Sequence, residues 1–283
     1  MKTEHAGMVP VVSGLDGDRR AAVDLGVVRL ATTEAPRTVI LPTGAGVRRL
    51  PNLTALLAML LARFGVPVLL HGVAGGGAAR DDTDCDARNA SSSVVTTADV
   101  LSRLGIHAAS SAVQVQADLA RQRVAHAATD ILAPGLATRR NARMGLSERM
   151  LTKLIDPFDG ASYRVIGVDS HACLAPIRTL LAAARADSLL LLGCEGEPFI
   201  DPRRRVPLED FTQGIPIVVA SSVDGVDPPP TELPASTCAS ATAEWISQVL
   251  AGEHPVPASI LTQLSCCLIG ARRPLSQPIG DVQ

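Results

Sequence analysis

An apolar strand, a small-residue turn, an apolar helix and a second apolar strand follow one another without a gap over 39–73, VILPTGAGVRRLPNLTALLAMLLARFGVPVLLHGV. Such a run closes a βαβ unit, and a βαβ unit commits its surroundings to a parallel sheet with helices laid on its faces. Thr38–Leu41 is β-branched and apolar, Pro42-Thr43-Gly44-Ala45-Gly46 is the turn, and Asn52 or Thr54 caps a helix that runs to Arg63 before Gly65 ends it. The start of that helix faces whatever the turn holds, and free backbone N–H groups at a positive dipole end favour phosphate there. Two readings stand, a structural turn and an anion cradle. The segment is neither a P-loop, having no Gly-Lys-Ser/Thr, nor a GxGxxG fingerprint.

The alternation continues downstream. Helices are predicted over 97–104, 112–127, 145–155 and 171–185, and strands over Tyr163–Val168 and Ser188–Leu192. A late strand over Gln213–Ser222, a Pro-rich excursion over Asp224–Pro234 and closing helices over Ser236–Leu250 and Pro257–Ile269 complete an α/β chain, a mainly parallel sheet with helices on both faces. Residues 1–36 hold one short helical candidate, Gly17–Leu30. Residues 74–93, small and polar without periodicity, read as a long flexible loop, and 273–283 as a tail.

With 283 residues, 47% of them apolar, the chain can bury one large core. Four Phe, one Tyr and one Trp leave that core to Ala, Leu and Val and supply no aromatic platform for stacking single-stranded bases. A net charge of −2 gives no global attraction to phosphate backbones, so nucleic-acid binding has to come from local basic clusters. Cysteines at 85, 173, 194, 238, 266 and 267 form no Cys-x-x-Cys pair and have no His at ligand spacing, which argues against zinc. The start, MKTEHAGMVPVVSG, has no apolar signal core, and no run reaches the ~20 residues of a membrane span. A cytoplasmic protein without a membrane partner is expected.

Taken in order, these motifs resemble the anthranilate phosphoribosyltransferase superfamily, whose members show a strand, a GTGGD turn, a helix opening Asn-x-Ser/Thr and a strand ending Lys-His-Gly-Asn. The counterparts are Pro42-Thr43-Gly44-Ala45-Gly46, Asn52-Leu53-Thr54 and Leu70-His71-Gly72-Val73. The chain is more similar still to a divergent branch, the YbiB-type proteins, sharing Pro-Asn-Leu-Thr at 51–54 and Gly-Val-Pro-Val-Leu-x-His-Gly at 65–72. Thr97-Ala98-Asp99-Val100-Leu101, Lys153 to Phe158, Gly193-Cys194-Glu195-Gly196-Glu197-Pro198 and Trp245 to Leu268 fall in family order, so the resemblance spans 38–272. It implies a phosphoribosyltransferase-like domain over 37–272, with 1–36 as a reduced, partly disordered remnant of the family's small helical domain, and a homodimer.

For function the resemblance implies two alternatives. Phosphoribosyl transfer needs a diphosphate cradle and magnesium to carry the leaving charge, and the protein supplies mostly positioning and electrostatics. Against the family pattern, two glycines of the turn are Pro42 and Ala45, its Asp is Gly46, and the Lys and Asn of the later motif are Leu70 and Val73. Where the enzymes carry an adjacent Asp-Glu pair, this chain offers Glu195 and Glu197, the remaining metal candidates or a solvated turn. The YbiB-type branch implies instead binding of DNA or RNA without sequence preference and without a cofactor. The residues expected at a phosphate or polyanion site are Thr43, Gly44, Gly46, Arg48, Arg49, Asn52, Thr54, His71, Thr97, Arg139, Arg140, Arg143 and Lys153. Arginine suits forked phosphate contacts. Arg203-Arg204-Arg205 is a further basic group, read either as part of such a surface or as solubilising charge. Retained transferase activity with an altered donor or acceptor is the alternative, with magnesium as its cofactor.

Overall fold

The computed structural model describes residues 7–9, 23–32, 36–72, 94–137, 150–204, 206–220 and 233–272. Two strands, β1 (Gly7–Val9) and β2 (Val23–Val27), pair antiparallel in a small sheet of their own. Of the helix expected over 17–30 the described part is strand over 23–27 and irregular over 28–30: Val-Asp-Leu-Gly-Val alternates with period two, and the left-handed φ of 57° at Gly26 is incompatible with a helix. Then follow β3 (Thr38–Pro42), α1 (Thr54–Arg63), β4 (Val68–Gly72), α2 (Thr97–Arg103), β5 (Ala108–Ala109), α3 (Ala112–Gln122), β6 (Val124–Ala128), α4 (Thr129–Leu132) and α5 (Pro134–Ala137). The second half holds β7 (Ser162–Val168), α6 (Leu174–Ala183), β8 (Ser188–Leu192), β9 (Leu208–Thr212), β10 (Ile215–Ala220), α7 (Ala239–Ala251) and α8 (Ala258–Arg272). Residues 74–93, 138–149, the tail, and all but 233 and 234 of the Pro-rich excursion lie outside the described residues.

Among the described residues eight strands form one sheet in the order β10-β9-β8-β7-β3-β4-β6-β5, parallel from β8 to β5 and antiparallel at β8–β9 and β9–β10. Alternate residues of each strand enter opposite cores. Val39, Leu41, Leu70, Val165 and Leu191 pack with α1, α7 and α8 on one face. On the other, Ile40, Leu69 and Ala125 meet Val115 and Leu119 of α3, and Ile166, Leu190 and Phe211 meet Ile177 and Leu181 of α6. Helices cover both faces, as the α/β reading requires.

Local chemistry sets the element ends. Thr96 caps α2 with a reciprocal pair: its Oγ1 accepts from Asp99 N–H at 3.2 Å while its own N–H donates to Asp99 Oδ2 at 2.9 Å. The helix expected over 112–127 stops at Gln122, where Arg123 turns left-handed (φ 60°), and the chain re-enters the sheet as β6. Val-Ala-His-Ala-Ala is short of the β-branched residues by which a strand is recognised, yet four of its five residues are buried. The single late strand is a hairpin, β9 and β10, joined by Gln213 (φ 51°) and Gly214 (φ 77°), the positive pair that suits the twist of a two-residue turn. Strand β10 lies at the sheet edge with Ile215, Ile217, Val218 and Val219 all exposed.

The N-terminal ends of the central strands are tied by one buried ion pair. Arg37 Nη1 donates to Asp187 Oδ2 at 2.7 Å and to Ser162 O at 3.3 Å, and Nη2 donates to Gly270 O on α8 at 2.7 Å. Asp187 Oδ1 accepts from Gln213 N–H of the hairpin turn at 2.7 Å. Two histidines are also buried in neighbouring strands, His71 in β4 and His126 in β6. Burial lowers both pKa values, with Lys153 and His126 adding to the effect on His71, to about 3 for His71 and about 4 for His126.

Asp187→Ala strands the Arg37 charge in the core, and equilibrium urea unfolding should register a loss of about 3–5 kcal/mol; a loss within experimental error would show the pair to be incidental. Both histidines stay neutral in the fold but protonate in the unfolded chain below pH 6.5. The unfolded state therefore binds more protons, so stability rises with pH from about 4 to 6.5, by up to about 1.4 kcal/mol per pH unit for each histidine, and levels off above. Urea midpoints at acid and neutral pH should converge in a His71→Gln, His126→Gln double variant.

Candidate functional site

The C-terminal ends of β3, β4, β7 and β8 share one side of the sheet, where open α/β folds gather their ligand groups. Strand β3 leaves through Thr43–Gly46 into Val47, which forms an antiparallel bridge to Val95 (N–H to O, 3.0 and 2.9 Å). Gly46 sits at φ 95°, and a Cβ there would stand 2.6 Å from Val95 O, so only glycine allows the turn to lie against the 94–96 segment. Thr43 N–H and Oγ1 both donate to His71 O, at 2.7 and 3.2 Å, fastening the turn to the end of β4.

The amides of the turn are already engaged. Glu197 Oε1 accepts from Gly44 N–H and Gly46 N–H, both at 2.9 Å, and its Oε2 accepts from Thr97 Oγ1 at 3.0 Å. Thr97 Oγ1 in turn accepts from Asn52 Nδ2 at 3.1 Å. Two residues upstream, Glu195 Oε1 accepts from Arg48 N–H at 2.9 Å and Arg49 N–H at 3.0 Å. Lys153 Nζ donates to Gly196 O at 2.8 Å between the two glutamates. Burial raises the Glu197 pKa above the ordinary carboxylate value, opposed by the Lys153 charge and by the bonds from Gly46, Thr97 and Gly44. Burial lowers that of Lys153, with Glu197 and Asp169 pulling the other way.

Gly44, Gly46, Asn52, Thr97 and the backbone amides of Arg48 and Arg49 are thus brought together around Glu195 and Glu197, with Thr43 fastened to the end of β4 beside them. Asn52 Oδ1 also accepts from Thr54 N–H at 3.2 Å as α1 begins, while the Thr54 hydroxyl is buried with no hydrogen-bond partner among the described residues. His71 stands beside the cradle, its Nδ1 3.3 Å from Thr129 Oγ1, which donates to Gly72 O at 3.1 Å. Lys153 donates to the Gly196 carbonyl. The side chains of Arg48 and Arg49 are exposed and have no partner among the described residues. Arg139, Arg140 and Arg143 lie outside the described residues, as does Arg205. Arg203 pairs with Asp201 at 3.2 Å and Arg204 reaches the same carboxylate at 3.9 Å, so these two do not join the cradle.

Glu195 and Glu197 do not fit a magnesium ion as arranged, because each Oε1 already accepts two amides and the second oxygen of Glu197 accepts a hydroxyl. Among the described residues no group of three or more His, Cys, Asp or Glu side chains could hold a metal, and no helix is long and apolar enough to cross a membrane. Sequence reasoning had no signal for the Glu197–Gly44 contact, which joins positions 153 residues apart. Thr129 was hidden because β6, which delivers it, reads as helix.

No family model matches the chain. The chain is 29% identical over 242 residues to the protein YbiB of Escherichia coli (strain K12), covering 83% of this chain and 69% of that protein. Its fold superposes on anthranilate phosphoribosyltransferase (TrpD) from Thermus thermophilus with a TM-score of 0.57 at 20% identity, over 87% of this chain and 69% of the other. The Saccharomyces cerevisiae enzyme in complex with PRPP and Mg gives a TM-score of 0.59 at 12% identity, over 87% of this chain and 66% of that one. The chain thus spans about two thirds of the length of these relatives. Fold and sequence meet the resemblance from two sides: the chain has the anthranilate phosphoribosyltransferase fold and, in sequence, is similar to YbiB.

Proposed function

We propose that this phosphoribosyltransferase-like protein carries degenerate catalytic motifs and binds nucleic acid, or another phosphate polyanion, without sequence preference. The observation that carries the reading is the Arg48-Arg49 pair, two adjacent exposed guanidinium groups without partners among the described residues, at the rim of a turn whose amides are taken. Forked donors in that position suit successive phosphates of a backbone. With a net charge of −2 the attraction is local, and with so few aromatics it falls on phosphates rather than on stacked bases. Arg139, Arg140 and Arg143 are proposed to extend the same face. The protein works in the cytoplasm, as a homodimer, and needs no cofactor in this reading.

The second reading, a pentosyl transferase with altered donor or acceptor, is favoured by one observation. Gly44, Gly46, Asn52 and Thr97 are assembled as a cradle on a fold shared with an enzyme solved with PRPP and Mg.

Fluorescence anisotropy with a short DNA duplex across a salt series tests the first reading. Affinity should fall steeply with salt, and Arg48→Ala with Arg49→Ala should weaken binding and lower the log K against log salt slope by about 1.8. Unchanged retention in the double variant would remove this face from the interface. Magnesium-dependent calorimetric binding of PRPP to the wild-type chain would restore the transferase.

A further inference from the structure

We propose that the Cys194–Pro198 turn is a built-in anion that seals the cradle, so that the chain is closed to diphosphates and becomes a diphosphate-binding protein once the Glu197 carboxylate is removed. This rests on the reading above that the cradle no longer serves a transferase donor.

Chemical occupancy is the first ground. Glu197 and Glu195 together accept from Gly44, Gly46, Arg48 and Arg49 N–H and from Thr97 Oγ1. These are the donors at the turn that a pair of linked phosphates would use. An entering anion would have to displace two carboxylates and face their charge. The carboxylates are tethered, so they compete intramolecularly, at an effective concentration that does not fall on dilution.

The second ground is that the backbone is shaped for delivery. Gly193 and Gly167, at the ends of β8 and β7, leave the Glu197 peptide room that no side chain allows: an added Cβ would stand 1.9 and 2.2 Å from Glu197 O. Glu195, a non-glycine residue, is held left-handed at φ 51° and Gly196 follows at φ 84°. That reversal puts both glutamates on the cradle. Clamps hold it from behind. Lys153 Nζ bonds Gly196 O at 2.8 Å, and Gln263 of α8 donates to Pro198 O at 2.8 Å while accepting from Ile200 N–H at 3.2 Å. Two close-packed glycines, a strained residue and two side-chain clamps make a fixture of the turn rather than a resting loop.

With the Glu197 carboxylate gone, the Gly44 and Gly46 amides and the Thr97 hydroxyl lose the acceptor on which they converge, and this donor set, with the Lys153 charge adding its attraction, suits inorganic diphosphate or a phosphate ester. The test is calorimetric titration of inorganic pyrophosphate into the wild-type chain, Glu197→Ala and Glu195→Gly, with amide NMR of Gly44, Gly46, Arg48 and Arg49. The wild type should be silent, and Glu197→Ala should bind at least roughly tenfold more tightly, with shifts at Gly44 and Gly46. Glu195 is exposed and left-handed, so Glu195→Gly keeps the fold even where Glu197→Ala does not, and should gain shifts at Arg48 and Arg49. Pyrophosphate binding to the wild type, or folded variants that gain none, would overturn the seal. Duplex retention that depends on Arg48 and Arg49 is read separately, so loss of the polyanion reading and loss of the seal give different results.

Discussion

A single guanidinium, that of Arg37, organises the base of this molecule. It lies just before β3, at the N-terminal ends of the parallel strands, and it reaches the Asp187 carboxylate before β8, the Ser162 carbonyl at the start of β7 and the Gly270 carbonyl in α8. Asp187 passes the connection on to the β9–β10 turn through Gln213. A buried charge is tolerated only when its partners are in place, so the register of three strands, a helix and a hairpin is set by the need to satisfy one cation and one anion. Everything at the opposite end of the sheet inherits its position from that register.

The opposite end is solved with the inverted chemistry. Where the base places a cation among carbonyls, the C-terminal ends of the strands place the anion of Glu197 among amides and a hydroxyl, with Lys153 nearby. Carbonyls and amides exposed at the ends of parallel strands and turns need partners of opposite polarity, and this chain supplies both from its own side chains.

The sequence made the local parts of this arrangement legible. The β3–turn–α1–β4 run announces itself by apolar length and glycine placement, and the helix predicted from 97 begins there as α2. The resemblance groups Thr43, Gly44, Gly46, Asn52 and Thr97, and each sits at or beside an element end. What stayed hidden was non-local or compositionally muted. Arg37 looks like any surface arginine until Asp187 is brought to it across 150 residues. Glu195 and Glu197 read as metal ligands or solvent-facing charges because the groups that donate to them are mostly backbone amides, which leave no signature in a sequence. Strand β6, made mostly of alanine, carries little β-branched signal, and its burial comes from its neighbours.

The exposed edge strand β10 bears on how the protein behaves outside a dilute, low-salt buffer. Ile215, Ile217, Val218 and Val219 present apolar side chains and no charge, and Pro216 is the residue in the strand that resists pairing with another chain. Contacts of arginines with phosphates weaken as ionic strength rises, whereas burial of such a strand strengthens in excluded salts. On the proposed polyanion reading, an excluded salt used to strip the ligand would also favour pairing of this edge, so that solubility and occupancy would pull the choice of salt in opposite directions.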